Sequence, residues 1–123
     1  MWQRARRRSP LLRDVFAPGD LVSVMTDDGR FGVMKVLAVD ERGVHARLYV
    51  QRFARRPGPA DLGELSMAPF GPGHDNPFSI GHMPLSCSSF AAWQPELISR
   101  GSVVAEDELE GYHMWQEAKG GYF

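Results

Sequence analysis

Three apolar runs lie close together near the front of the chain, and tight-turn residues separate them. Leu21–Thr26 and Phe31–Asp40 flank Asp27-Asp28-Gly29, and Val44–Phe53 follows Asp40-Glu41-Arg42-Gly43. Asp and Gly between apolar runs favour hairpin turns, because Asp bonds its own backbone and Gly tolerates a positive φ. On that ground Gly43 is expected at positive φ. The third run alternates: Val44, Ala46, Leu48 and Val50 point one way, and His45, Arg47, Tyr49 and Gln51 the other. Period-two alternation marks a strand with one core face and one wet face. The second run is apolar on both faces apart from Lys35, so it belongs in the middle of a sheet. The result is a tightly curled antiparallel meander. The expected fold class is α+β, with a curled antiparallel sheet, partly closed like an SH3 barrel, and a C-terminal helix. Closure needs two more strands from the rest of the chain.

Beyond Arg55 the character changes. Pro57, Pro59, Pro69, Pro72, Pro77 and Pro84, with interspersed glycines, read as a long loop over 55–84, pinned by Phe70, Phe78, Ile80 and Met83. Ser86 then stands as an N-cap for a short helix running to Trp93, which Pro95 ends. Leu97-Ile98 and Ser102–Val104 read as short strands. The main helix is predicted over 105–119, with Glu106, Asp107, Glu108 and Glu110 in its first turns, where the helix dipole favours anions. Leu109, Tyr112 and Trp115 form its apolar stripe. Gly111 within it suggests a close backbone contact, since glycine there costs about 1 kcal/mol relative to alanine. Gly120-Gly121 stops the helix, and Tyr122-Phe123 is expected to tuck against the body.

The chain has 123 residues, 43% hydrophobic and 24% charged. That suits one folded domain with no need of disulfides or structural metal. Residues 1–17 read as a basic N-terminal arm and 18–123 as a single domain. Residues 1–13 hold five Arg and no acid, and the remainder holds nine Lys and Arg against fifteen Asp and Glu, a balance of −6. An acidic body does not favour nucleic acid as a partner. No apolar run reaches the roughly 20 residues of a membrane span, and the basic start leads into Ser9-Pro10, not into the apolar core of a secretory signal. With a single cysteine, Cys87, the expected location is the cytoplasm.

Chemistry-bearing patterns are sparse. His74, His82, Cys87 and His113 match no zinc spacing. Cys87 has no evident base, and neither glycine cluster, Gly29-x-x-Gly32 or Gly71-Pro72-Gly73, ends in the Lys-Ser/Thr of a phosphate loop. No catalytic residue, metal or cofactor is expected. The candidate partner-binding residues are the acids Glu106, Asp107, Glu108 and Glu110 with Arg47 and Tyr49 of the strand face, since an aromatic and an arginine make good recognition anchors.

Pro18-Gly19-Asp20-Leu21-Val22, Asp28-Gly29-Arg30-Phe31-Gly32 and Lys35-Val36-Leu37 resemble the immunity protein 26 family of bacterial polymorphic toxin systems. The resemblance covers the front half of the domain. It implies a non-enzymatic inhibitor that binds and blocks a cognate toxin. The second reading is an SH3-like module that binds nucleic acid or a peptide through Arg4–Arg8 and the His45–Gln51 face. Deleting residues 1–13 separates the two. Affinity for a protein partner should stay the same, whereas a nucleic-acid module would show a large salt-sensitive loss in a fluorescence anisotropy titration.

Overall fold

A computed structural model describes residues 15–67 and 78–123 of the chain. The three apolar runs form β1 (Leu21–Met25), β2 (Phe31–Val39) and β3 (Gly43–Leu48), each antiparallel to the next. β4 (Ile80–Ser86) pairs with β3, and β5 (Glu96–Ser99) returns to pair with β1. The order β4-β3-β2-β1-β5 puts β2 in the centre, and its residues 32–37 are buried on both faces. Among the described residues β4 and β5 do not pair, so the sheet stays open and its partial closure into a barrel is not seen.

One face of the sheet carries the main core. Val22, Val24, Met34, Val36, Val44, Ala46, Leu48, Met83 and Leu85 meet Phe90 of α1 (Cys87–Ala92) and Phe16. Phe90 is wholly buried and meets Phe16 edge-on at 5.3 Å between centroids. A bulge between Val36 and Ala38 changes the pairing parity of β2, so Val39 lies opposite Val44 and packs on the same core. Bulges also raise local twist, which curls the meander. α1 starts where Ser86 accepts a hydrogen bond from the Ser89 N–H at 3.2 Å, the predicted N-cap.

Several expectations change. β4 begins inside the stretch read as loop and runs two residues past it; Pro84 and Gly81 disguise it, and proline is tolerated there because β4 is an edge strand. β3 ends at Leu48 instead of Phe53, and beyond it Phe53 makes an isolated bridge with Phe31. Ser102–Val104 forms no strand. The predicted single helix is a 3-10 turn, Glu106–Leu109, followed by α2 (Glu110–Glu117). Val15 and Phe16, read as part of the arm, pack into the core, as large apolar side chains do; residues 1–14, including Arg4–Arg8, lie outside the described residues.

Gly43 is not at positive φ, unlike Gly29 in the first turn (φ 78°). Its reason is proximity: a Cβ there would lie 2.1 Å from the Leu85 carbonyl oxygen and 2.6 Å from the Tyr122 ring. Neither backbone nor a ring held by hydrogen bonds to Asp40 and His45 can yield that much. Gly43→Ala should therefore destabilise the fold by about 2–3 kcal/mol, read as a lower urea midpoint.

Candidate functional site

The second face of the sheet carries Lys35 from β2, His45 and Arg47 from β3 and His82 from β4. Alternation alone makes this the wet face. The chain covers it instead with its C-terminal segment, the 3-10 turn, α2 and the tail. Gly111 permits the approach, since a Cβ there would sit 2.7 Å from the His82 Cβ. The backbone contact expected of Gly111 is thus a contact with β4.

Two polar systems hold the cover down. At the 3-10 turn, Lys35 donates to both oxygens of Glu108, at 2.9 and 3.2 Å, and to the Val103 carbonyl. Glu108 also accepts the Ala105 N–H at 2.9 Å and lies 3.6 Å from Arg47. Burial works against the Glu108 charge, but these donors and the two cations outweigh it and hold the carboxyl below its ordinary value.

Under α2 lies a hydrogen-bonded chain. The Asp40 carboxylate accepts two N–H bonds, from Arg42 at 2.7 Å and Gly43 at 3.0 Å, and the Tyr122 hydroxyl. Tyr122 Oη lies 2.8 Å from His45 Nε2, and His45 Nδ1 lies 2.8 Å from His82 Nε2. A carboxylate only accepts, so Tyr122 donates its proton to Asp40 and takes the His45 Nε2–H. His45 Nδ1 then accepts the His82 Nε2–H. Four rings surround His45: His82 stacked at 5.1 Å, Tyr112 and Trp115 edge-on at 4.6 and 4.4 Å, and Tyr122 at 5.1 Å. At 1% exposure, burial and then the neighbouring His82 push the His45 pKa down to about 4, against the pull of Asp40. Burial lowers His82 as well. Burial and the bond to Asp40 push the Tyr122 phenol up, and Asp40 is held low by its donors despite burial.

The candidate binding residues divide accordingly. Tyr49 is 8% exposed, and burial, then Glu108, raises its pKa; it is turned into the body and offers little surface to a partner. Arg47 is half-buried beside Glu108, and Gln51 is occupied by Ser66, donating to its Oγ at 2.8 Å and accepting its N–H at 3.0 Å. Glu108 faces inward. Glu106, Asp107 and Glu110 are exposed, as is Met114. Asp107 and Glu110 line a shallow cleft of about 280 Å³ with Arg47, His82, Glu108, Gly111 and Met114. The structure thus brings Asp107, Glu108, Glu110 and Arg47 to one cleft, leaves Glu106 outside its lining, and buries Tyr49.

Sequence reasoning missed His45 as the centre of this face. The signal was present: the stripe Tyr112–Trp115 and the expected contact at Gly111 both required a surface for α2 to cover. Among the described residues no three His, Cys, Asp or Glu side chains gather as a metal site, and no helix is long and apolar enough to cross a membrane. His74 lies outside those residues. Cys87 Sγ rests 3.7 Å from the Glu41 carbonyl oxygen.

No family model matches the chain, and no curated protein or solved structure matches it significantly.

Removing the Glu108 charge leaves a buried lysine without its counterion. Glu108→Gln should therefore cost about 2–3 kcal/mol, while Asp107→Asn should stay within about 0.5 kcal/mol. Urea denaturation of the two variants at pH 7 makes the comparison.

Proposed function

We propose that this chain is a non-enzymatic binding protein of the toxin-immunity kind, acting in the cytoplasm by covering a basic surface on a cognate protein toxin. The observation that carries the reading is the outer edge of the 3-10 turn and α2. There Asp107 and Glu110 share a cleft with Met114 (64% exposed), and Glu106 stands exposed at the start of the turn with Val103 (82% exposed) just before it. Apolar anchors within a charged rim are the usual anatomy of a protein interface, and the negative rim speeds encounter with a cationic partner. Glu108 belongs to the scaffold of this face and leaves the other acids to the partner.

The front-half resemblance to the immunity protein 26 family supports the same reading. The curl of the bulged meander is compatible with an SH3-like arrangement. The alternative nucleic-acid module has less support, because the strand face it would use is covered: His45 lies under α2 and Tyr49 is buried.

The test starts from a nuclease-treated pull-down with tagged protein, read by mass spectrometry, followed by titration of the purified partner. Asp107→Ala/Glu110→Ala should weaken that partner at least tenfold and shallow its salt dependence, with the urea midpoint nearly unchanged. Unchanged affinity removes this face from the proposal.

A further inference from the structure

Each link of the Asp40–Tyr122–His45–His82 chain already holds its one proton. Asp40 accepts, Tyr122 donates to it, His45 Nε2–H donates to Tyr122, and His82 Nε2–H donates to His45 Nδ1. A further proton on His45 can go only to Nδ1, where it would face the His82 N–H. That breaks the link and places a cation in a site 1% exposed. Four rings meet at His45, and three of them, Tyr112, Trp115 and Tyr122, belong to the C-terminal segment. The far end of that segment is held at the β4 edge and by α1: the Phe123 N–H donates to the Pro84 carbonyl at 2.9 Å, and its carbonyl accepts the Ser86 N–H at 3.0 Å and the Ser89 hydroxyl at 2.9 Å. The main core, around Phe90, lies on the other side of the sheet.

We propose that the Asp40–Tyr122–His45–His82 chain is an acid-operated latch, which holds residues 110–123 on the sheet and releases them when His45 takes up a second proton.

The groups facing His45 set the direction. From β4 comes His82, which repels an added proton; from the turn after β2 comes Asp40, which attracts one through Tyr122. α2 contributes Tyr112 and Trp115, and Arg42 lies over the Tyr122 ring at 5.5 Å, adding positive charge. His113 is on the outer side of α2, 3.9 Å from Glu106, so its protonation adds an attraction and opposes release. Asp40 and Glu108 titrate below their ordinary values and so stay charged through mild acid.

The sign follows from linkage. His45 ionises near 6.5 when released and at about 4 when latched. Its contribution is therefore present in full above 6.5 and is lost as the pH falls toward about 4. Between pH 7 and pH 5 this one group should raise the released population about 20-fold.

For the binding face, the inference rests on the reading above, since Glu110 and Met114 ride on the released segment. The test itself needs no partner. Hydrogen–deuterium exchange of the full chain at pH 7 and pH 5, expressed as protection factors, should show a roughly 20-fold loss over 110–118 and a clearly smaller loss in β2. Equal protection at both pH values, or an equal loss in α2 and β2, overturns the latch. His45→Gln/His82→Gln should reduce the pH effect to less than twofold, and a retained effect overturns it too. If that variant does not fold, wild-type histidine ring ¹⁵N shifts decide. His45 should be neutral with its proton on Nε2 at pH 7, and protonated only where α2 has lost protection; a protonated His45 beneath a protected α2 refutes the latch. Failure here leaves the binding titration standing, and failure of the titration leaves the exchange result standing.

Discussion

Burial of His45 decides how the second face of the sheet is built. A polar ring in the middle of a strand must have both nitrogens satisfied once water is excluded. Asp40 and Tyr122 satisfy one side through an ordered chain, and His82 satisfies the other. Each partner comes from a different part of the sequence: the turn after β2, the tail and β4. Bringing them together places α2 across the sheet and lays Tyr112 and Trp115 against the imidazole. Without that chain the aromatic stripe of α2 would have an unsatisfied polar group beneath it.

The remaining connections are tied by charged side chains bonding to backbone. Asp20, buried in the first strand's approach, accepts the Ala17 N–H and the Arg100 guanidinium, both at 2.9 Å. Gly19 beside it is at φ 93° and so close to Ser102 that a Cβ would lie 2.3 Å from its carbonyl oxygen. Arg56 reaches the Ser23 carbonyl at 3.0 Å and the Gln94 carbonyl at 2.8 Å while lying over the Phe31 ring at 4.9 Å. These clamps set where β5 ends. They leave Val103 and the following 3-10 turn to run across the sheet toward Lys35. The candidate binding edge is therefore held by Lys35–Glu108 on one side and by the His45 system on the other. Its outward acids take no part in that support.

Local signals proved legible where a segment's own residues decide its conformation. Asp-Asp-Gly made its turn, with Gly29 at positive φ, and the alternation of Val44–Leu48 made its strand. Ser86 capped its helix. Gly111 was read as a contact and is one. β4 was hidden because Gly81 and Pro84 look like loop. Gly43 was assigned the wrong reason, because the partner it must approach, Leu85, lies far away in sequence. The candidate site was half legible. The acids after Ala105 stood out, but their division into inward Glu108 and outward Asp107 and Glu110 depends on Lys35, reached only through the fold.

By itself the sequence determined the meander, the central place of β2, the short capped helix and the acidic start of the C-terminal segment. All of these follow from periodicity, turn chemistry and capping within about ten residues. Only the tertiary structure decided that the alternating face of β3 is covered instead of wet. It also decided that Tyr49 is interior and that His45 sits inside a proton-filled chain. The physical reason is that a strand's pattern states which residues share a face. It does not state what will lie over that face. That depends on partners up to 77 positions away, as between His45 and Tyr122.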